Sequence, residues 1–464
     1  MTRQLPVFFK KVKPSPHLLA LQVFYALEMG IVDKADEALK EALESVRYQS
    51  FSPQARGLAS MLVNEACRWF LTLKAHIKSL TQKRFKDHQA PLRHLLCLGL
   101  LSVLHPQERD RNRVHSQVHA WIDLAKEAHL TTSQVALLNA CLRKASEERV
   151  VLGEMPCDFK GNRLEAESLQ SGWPLWAIEA LYQSVSSDEV QDYLNASHIK
   201  QPLTLFHTKA RTPTEMQVVL QALAQQQIEV TQPFSDTFPN AIHLSKDFQG
   251  RLSDFPHFDE GHWYVQDYGS AWVAQHASQA LETLPTSSPM VVDLCAAPGS
   301  KTWWLAEAVK DKGHVHAVEL SDARCKRLIE NLDRLHLKET VTIHTQDART
   351  FRLDGSADLI LVDAPCSALG TISHHPDLWM QKNEASLKQF PPLQLEILKQ
   401  ASTLAHPDSI LIYSTCTWLP AENERLIKRF LAEHPNWYCV EMKKLPLHPE
   451  HDAFFLAILK QTHP

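Results

Sequence analysis

The chain lacks the cysteine patterns that mark a disulfide framework or a structural zinc site. It has nine cysteines among 464 residues, an odd number, and none of them stands in a CxxC or Cys/His zinc spacing. We therefore expect a protein without disulfides or bound metal, from a reducing compartment. The cysteines are Cys67, Cys97, Cys141, Cys157, Cys295, Cys325, Cys366, Cys416 and Cys439.

Long apolar runs and a positive net charge are also absent. The sequence has no stretch of about 18 apolar residues, which a membrane helix would need, and the apolar part of its N-terminus is too short for a signal peptide. We therefore expect a cytoplasmic protein with no membrane partner. A net charge of -5 and a pI near 6.6 argue against binding of polyanions by the whole surface. Any contact with a nucleic acid must depend on local basic patches, and the candidate segments are residues 10–13, 74–86 and 109–113.

The hydrophobic pattern changes along the chain and divides it into parts. Residues 15–148 carry helical periodicity without strand-like alternation, and short strands surround one helix between residues 199 and 285. From Met290 onward apolar strands alternate with helices, which is typical of a doubly wound parallel sheet. The predicted fold class is therefore multidomain, with an all-α N-terminal domain, a small α+β connector and a C-terminal α/β, Rossmann-like domain. The predicted bounds are 1–148 for the helical domain, 149–198 for a helical linker, 199–285 for the connector and 286–464 for the α/β domain.

A turn of small residues near the start of the α/β domain indicates a nucleotide-like ligand. The segment Met290–Thr302 predicts a buried strand that turns through Gly299 into a helix starting near Thr302, which lets the backbone approach a ligand closely. Glu319 ends the next strand, at the spacing where a carboxylate can accept hydrogen bonds from ribose hydroxyls. Asp347 ends the third strand and could accept from an adenine amino group. Because the turn lacks both GxGxxG and the GK[ST] of a P-loop, the expected cofactor is S-adenosyl-L-methionine, which has no pyrophosphate.

Two thiols follow strand-like apolar runs further along the chain. Cys366 lies shortly after residues 359–362 and Cys416 shortly after residues 410–412, where an α/β sheet delivers side chains to its ligand-binding edge. A thiolate is well suited to attack an electron-poor ring carbon, and a second thiol can manage the proton that leaves afterwards. The residues alone leave both thiols as plausible nucleophiles, and a buried core cysteine is the alternative for each.

These segments together resemble the motif series of the RNA cytosine-5 methyltransferases (Nop/Sun type) in content, order and spacing. The matching segments are Asp293–Thr302, Asp363–Ser367, His375–Asp377, Ser414–Thr417 and Pro420–Asn423. The helical part is similar to the NusB-like RNA-binding domain, above all in Leu92–Leu104 and Leu137–Arg143. This pairing of domains is that of the Sun/Fmu (RsmB-type) enzymes of bacterial small-subunit rRNA. The resemblance covers nearly the whole chain and is strongest from 290 to 424.

The resemblance implies roles for individual residues. Cys416 would be the nucleophile that forms the covalent bond, and Cys366 would assist product release. Asp363 would contact the methyl donor or the cytosine edge, whereas Lys301 would lower the thiol pKa and orient the base. We interpret the loop around His375–Asp377 as a substrate-side lid without a catalytic role. The predicted cofactor-binding residues are Cys295, Ala296, Ala297, Pro298, Gly299, Ser300, Lys301, Glu319, Asp347 and Asp363.

The function that the resemblance implies is transfer of a one-carbon group, namely S-adenosylmethionine-dependent methylation of C5 of a specific cytosine in small-subunit (16S) rRNA through a covalent adduct of cysteine with C6. The RNA partner could be free 16S rRNA or part of a partly assembled small subunit. A tRNA cytosine-5 methyltransferase is the alternative enzyme, because the catalytic motifs are shared. A noncatalytic RNA-binding ribosome assembly factor is the alternative outside enzymes, and the presence of both thiols argues against it. Nothing in the sequence requires more than a monomer.

Overall fold

The protein is described by a computed structural model. It covers residues 12–104, 111–147, 151–156, 159–245, 248 and 251–462. The helices are α1 (Pro16–Glu28), α2 (Ala35–Glu44), α3 (Pro53–Arg68), α4 (Phe70–Thr81), α5 (Leu92–Leu104), α6 (Arg111–Glu127), α7 (Thr132–Glu147), α8 (Arg163–Ser171), α9 (Leu175–Tyr182), α10 (Ser187–Ala196), α11 (Pro213–Gln225), α12 (Tyr268–Glu282), α13 (Ser300–Val309), α14 (Asp322–Arg334), α15 (Leu378–Gln381), α16 (Glu384–Leu387), α17 (Phe390–Ser402) and α18 (Glu424–Glu433). The strands are β1 (Leu203–His207), β2 (Val230–Thr231), β3 (Ala241–Leu244), β4 (Trp263–Val265), β5 (Met290–Leu294), β6 (His314–Glu319), β7 (Val341–Thr345), β8 (Ala357–Asp363), β9 (Ala405–Thr415), β10 (Trp437–Leu445) and β11 (Phe454–Gln461).

Two compact units divide the chain. The first contains residues 1–186 together with 375–384, and the second contains residues 187–374 together with 385–464. The second unit therefore holds both sheets, while the first is built from helices. The four sequence ranges given above remain a proposal for how these units subdivide.

The first unit is a helical bundle around one apolar core, as the periodicity predicts. Local signals start its helices: Ser15 and Ser52 each accept a backbone hydrogen bond as N-caps, and a proline follows each at the first helical position. Helix α5 is buried at every position except Arg93, because it is apolar on nearly all sides and packs against α3, α4, α6 and α7. The polar tip of the buried Trp121 is satisfied inside this core, where its indole N–H donates to Ser102 Oγ at 3.0 Å.

A four-stranded antiparallel sheet begins the second unit, in the order β2-β3-β1-β4. Helix α11 packs beside it and has a capping box, since Thr212 accepts from Glu215 N while the Glu215 carboxylate accepts from Thr212 N. One helix with short strands around it is the pattern that the sequence predicts between residues 199 and 285. This is the predicted α+β connector.

The seven-stranded sheet of the second unit has the order β10-β11-β9-β8-β5-β6-β7. Strands β5 to β9 are parallel, and β10 and β11 add an antiparallel edge. The chain order reverses at β5, with β6 on one side and β8 on the other. This reversal is the point at which open α/β sheets bind ligands, beyond the carboxyl ends of the strands. The fold prediction is confirmed, with one local correction: α13 begins at Ser300 and not near Thr302, because Gly299 supplies the turn by itself.

Candidate active site

The two thiols that the sequence singles out meet at the carboxyl edge of the seven-stranded sheet. Cys366 follows β8 and Cys416 follows β9, and these strands are parallel neighbours. A backbone hydrogen bond from Ala364 N to Ser414 O (2.9 Å) continues their pairing past the end of β8. The two Sγ atoms are 3.3 Å apart, and both cysteines are partly exposed. The two thiols are therefore in contact with each other at this edge of the sheet.

An ion pair between the buried Lys301 and the partly exposed Asp363 joins the helix after the turn to the end of β8. Lys301 Nζ donates to Asp363 Oδ2 at 2.8 Å, and Ser414 Oγ donates to Asp363 Oδ1 at 2.8 Å. Burial disfavours the charged ammonium of Lys301 and so lowers its pKa. The negative charge of Asp363 and the hydrogen bond to it, with smaller contributions from Cys416 and Asp293, raise the pKa by more, so the pKa of Lys301 is raised overall. The site therefore contains a permanent cation, whose Nζ also lies 5.4 Å from the ring centre of Phe454.

The environment of Cys416 favours the neutral thiol. The adjacent Cys366 sulfur raises the pKa of Cys416 most strongly, burial adds to this, and the charge of Asp363 acts in the same direction. Lys301 lowers this pKa, which is the predicted direction, but its effect is outweighed. The reactive thiolate is a minor species at neutral pH.

The turn between β5 and α13 is held in a conformation that suits close approach by a ligand. Gly299 has a φ of +104°, and a Cβ at this position would lie 2.6 Å from Leu328 Cδ1. Ala296 N donates to Val318 O at 3.0 Å, which fastens the turn to β6. Arg324 Nη2 donates to Ala297 O at 2.7 Å and Asn331 Nδ2 donates to Pro298 O at 2.9 Å. The carbonyls of the turn are therefore occupied by α14, whereas the first amides of α13 are at the helix N-terminus, where hydrogen-bond donors are available.

Two carboxylates beside the turn have an oxygen that accepts no hydrogen bond among the described residues. Asp293 is fully buried, and its Oδ2 accepts from Thr302 Oγ1 at 2.7 Å while its Oδ1 has no partner; burial raises the pKa of Asp293 to about 7. Glu319 Oε1 accepts from Ser321 N at 2.9 Å. Its Oε2 lies 3.3 Å from Arg324 Nη1 without a hydrogen bond. A buried acceptor without a donor is costly, so Glu319 fits a ligand that brings hydroxyl groups.

The remaining predicted cofactor residues lie at the same edge of the sheet. Cys295 has a φ of +67° and so contributes its backbone conformation to the turn. Burial raises the pKa of its thiol, which therefore stays neutral. Asp347 follows β7, where Arg349 Nη2 donates to its Oδ2 at 2.6 Å and holds the pKa of the carboxyl below its usual range. Asp347 is thus a fixed, ionised acceptor.

Sequence reasoning missed two buried polar residues that hold the loop of Cys366. Gln394 on α17 and Glu422 before α18 are both inaccessible to solvent and bond to each other and to the backbone beside Cys366. The only sequence signal is the presence of Glu422 in the motif Pro420–Asn423, since a glutamine inside an amphipathic helix is unremarkable.

The segment His375–Asp377, interpreted above as a lid, belongs to the first unit. Asp377 is buried there, and its Oδ2 accepts from Ala35 N at 3.1 Å at the start of α2. Trp379 packs on Trp173 with ring centres 4.9 Å apart. These contacts hold the segment among the helices of the first unit, and its interpretation as a lid without a catalytic role stays a prediction.

One group of three possible metal ligands lies close together in the described part of the chain. His257, Glu260 and His262 have ligand atoms within 4.8 Å of one another. Lys209 Nζ lies 2.7 Å from His262 Nε2. The lysine ammonium is therefore within hydrogen-bond distance of one of the possible ligand nitrogens. The absence of a metal from the protein's function stays a prediction.

Within the ranges that the structure describes, no helix combines the length and the apolar composition needed to cross a bilayer.

The basic segments differ in how far the structure describes them. Residues 10–11 and 109–110 lie outside the described residues. The segment 74–86 includes part of α4, where Lys74 Nζ lies 4.5 Å from the ring centre of Phe70 and Lys78 is exposed.

Comparison with known proteins decides the family. Residues 280–460 match the family model described as 16S rRNA methyltransferase RsmB/F. A protein of Proteus mirabilis (strain HI4320), named ribosomal RNA small subunit methyltransferase B, is 30% identical over 419 residues, which cover 89% of this chain and 92% of that protein. This chain belongs to the RsmB/F family of 16S rRNA methyltransferases. A protein of Synechocystis sp. (strain ATCC 27184 / PCC 6803 / Kazusa), named probable ribosomal RNA small subunit methyltransferase B, is 28% identical over 458 residues, with 92% of this chain and 95% of that protein covered.

The other comparisons bear on the N-terminal domain and on the fold. Residues 15–147 match the NusB family model, which confirms the predicted NusB-like domain. The crystal structure of a protein called PH0851 has a TM-score of 0.75 at 23% identity and covers 97% of this chain and 100% of its own. The structure of NSun6 from Pyrococcus horikoshii with SFG has a TM-score of 0.51 at 19% identity, covering 62% of this chain and 98% of its own. At these identities the likeness shows the fold, so the family assignment depends on the sequence matches.

Proposed function

We propose that this RsmB/F-family methyltransferase methylates C5 of a cytosine in 16S rRNA, using S-adenosyl-L-methionine, through a covalent bond between Cys416 and C6 of the base. The observation that carries the proposal is the pair of thiols, with Sγ atoms 3.3 Å apart, on neighbouring loops beside the Lys301–Asp363 ion pair. Methylation of an oxygen or an exocyclic nitrogen would need neither thiol.

The chemistry gives each thiol a task. Carbon 5 of cytosine is too weak a nucleophile to take a methyl group from a sulfonium, but addition of a thiolate at C6 makes C5 an enamine carbon that can. After methyl transfer the C5 proton leaves, the C6–S bond breaks and the aromatic ring is restored. We assign the attack to Cys416 because the family resemblance implies this role for it. Cys366, next to it, is assigned to the release step.

Lys301 and Asp363 would hold the base. With its raised pKa, Lys301 stays protonated throughout the working pH range and can donate to a base oxygen or ring nitrogen. Asp363 keeps the ammonium in position and is itself fixed by Ser414 Oγ. A bidentate arrangement of one donor and one acceptor suits the edge of cytosine.

The chain's residues fit the proposed cofactor. When bound, S-adenosyl-L-methionine supplies the methyl group. Glu319 Oε2 would accept from the ribose hydroxyls, and Asp347 would accept from the adenine amino group. Gly299 lets the turn pack against Leu328 of α14, where even one added carbon would collide, and this packing would set the position of the turn beside the cofactor.

The NusB-family helical domain supports RNA as the partner, and the names of the relatives support 16S rRNA in place of tRNA. Exposed lysines of the segment 74–86 are candidate phosphate contacts. The protein acts as a cytoplasmic monomer in this proposal, on free 16S rRNA or on a partly assembled small subunit.

Release of tritium tests the proposed reaction directly. 16S rRNA and tRNA carrying [5-³H]cytidine are incubated with the protein and S-adenosylmethionine, and tritium in water is compared with methyl incorporation. The proposal expects equal amounts of both from 16S rRNA or its particle. Methylation without tritium release would exclude C5, whereas release from tRNA alone would keep the chemistry and overturn the substrate.

The raised pKa of Cys416 predicts how its reactivity depends on pH. Because the thiolate is a minor species below the pKa, alkylation of Cys416 by iodoacetamide is expected to rise about tenfold per pH unit between pH 6.5 and 8.5. Cys366→Ala removes the strongest cause of the raised pKa, so its curve should shift to lower pH. Peptide mass spectrometry measures the rates. A plateau of the wild-type rate below pH 8 would show that the thiol is already ionised.

A further inference from the structure

The loops of Cys366 and Cys416 are held by two consecutive residues. Glu422 and Asn423 follow the Cys416 loop and precede α18, and each is about 1% exposed. A buried carboxylate or amide is expensive unless its polar atoms are hydrogen-bonded, and Glu422 Oε2 and both polar atoms of the Asn423 side chain have such bonds. Their bonds go to the backbone and side chains on either side of the two thiols.

Glu422 brackets Cys366. Its Oε2 accepts from Ser367 N at 2.9 Å and from Gln394 Nε2 at 2.8 Å. The second hydrogen of Gln394 Nε2 goes to Pro365 O at 3.1 Å. The peptide groups immediately before and after Cys366 are thus tied to one carboxylate.

Asn423 brackets Cys416 in the same manner. Its Nδ2 donates to Thr417 O at 2.8 Å, and its Oδ1 accepts from Thr415 Oγ1 at 2.6 Å. The residues on both sides of Cys416 are therefore tied to one amide. A hydroxyl contact from Ser367 to Thr417 (2.9 Å) connects the two loops.

We infer that Glu422 and Asn423 are positioning residues with separate tasks, Glu422 with Gln394 fixing Cys366 for product release and Asn423 fixing Cys416 for attack. The inference depends on the covalent mechanism of the proposed function. Its physical reason is that a sulfur displaced by about 1 Å from its reacting position can lose about a hundredfold in rate. Each thiol is on a loop outside the strands, so these side chains supply the rigidity that the strands do not.

The test separates the two steps of the reaction. Adduct formation is followed on denaturing gels with 16S rRNA from cells lacking the protein, and overall turnover by methyl incorporation. Glu422→Ala and Gln394→Ala are expected to form adduct at near wild-type rate, to accumulate it and to lose about tenfold or more in turnover. Asn423→Ala is expected to form adduct about tenfold or more slowly and to accumulate none.

Gln400→Ala is the matched control for Gln394→Ala. Gln400 is on the same helix and its Nε2 likewise donates to a loop carbonyl, Phe351 O, at 2.8 Å, but that loop carries no thiol. This variant should change thermal stability without changing the balance between adduct formation and release. Glu422→Gln retains an acceptor for Ser367 N and should restore turnover relative to Glu422→Ala, which keeps the test usable if the alanine variant is unstable.

The outcomes distinguish this inference from the proposed function. If the Glu422 and Asn423 variants slow both steps equally and in proportion to lost stability, as Gln400→Ala would, the network is only structural and the inference is wrong. If the wild type releases no tritium from C5 and Cys366→Ala gives no adduct, the covalent mechanism itself fails. An adduct in Cys366→Ala that is absent from both Glu422→Ala and Gln394→Ala contradicts the inference alone.

Discussion

Replacing Cys416 with alanine is expected to abolish methyl transfer, whereas replacing Cys366 is expected to leave the protein covalently attached to its RNA. Without a nucleophile at C6, C5 of cytosine cannot accept the methyl group, so Cys416→Ala should lose at least about a thousandfold in rate, or ~4 kcal/mol of barrier lowering. Cys366→Ala keeps the attack and the transfer but lacks the group beside the adduct, 3.3 Å from the attacking sulfur.

Denaturing electrophoresis with labelled RNA measures both expectations in one experiment. Cys366→Ala should give a retarded band that requires S-adenosylmethionine and disappears in the double variant with Cys416→Ala. Cys439→Ala is the control, because Cys439 is another partly buried thiol of the second unit, on β10, and should behave as wild type. A retarded band formed by Cys416→Ala, and not by Cys366→Ala, would show that Cys366 is the nucleophile and Cys416 the residue that assists release.

Gly299→Ala is expected to lose most of the cofactor affinity. The new Cβ would lie 2.6 Å from Leu328 Cδ1, and Leu328 is fully buried, so the turn and this side chain cannot both keep their positions, and a shift of the turn displaces its amides from the ligand. A weakening of about tenfold or more, at least ~1.4 kcal/mol, is expected in calorimetric titration with S-adenosylmethionine.

Gly355→Ala separates this effect from backbone strain. Gly355 has a φ of +99°, close to the +104° of Gly299, but a Cβ there would meet nothing within 4 Å. Both variants therefore carry a similar conformational cost of about 1 kcal/mol. Only in Gly299→Ala does the new Cβ also clash with the Leu328 side chain. Equal cofactor affinity in the two variants would mean that the turn does not hold the cofactor.

The sequence predicts those parts of the site that depend on local pattern. Buried parallel strands are continuous apolar runs, so the ends of β5, β8 and β9 could be located from the sequence. Residues that follow such runs must lie at one edge of the sheet. For this reason the sequence alone predicts that Cys366 and Cys416 lie close together.

The remaining features depend on distances that no local pattern contains. The raised pKa of Cys416 follows from its contact with Cys366, fifty residues away in the chain. The role of Gln394 depends on the rotation of α17 relative to the loop at Pro365. The carboxylate of Asp377 bonds to the start of α2, 342 residues away in the sequence. Such contacts are set by tertiary packing, which a single sequence does not reveal.

Mapping of 5-methylcytosine in 16S rRNA tests the central claim most directly. The rRNA is taken from cells that lack the protein and from the same cells complemented with the wild type or with Cys416→Ala, and it is read by bisulfite sequencing and mass spectrometry. The account predicts one cytosine that loses its C5 methyl group without the protein, regains it with the wild type and stays unmethylated with Cys416→Ala. A 16S rRNA whose 5-methylcytosine is unchanged in all three, or is restored by Cys416→Ala, would contradict it.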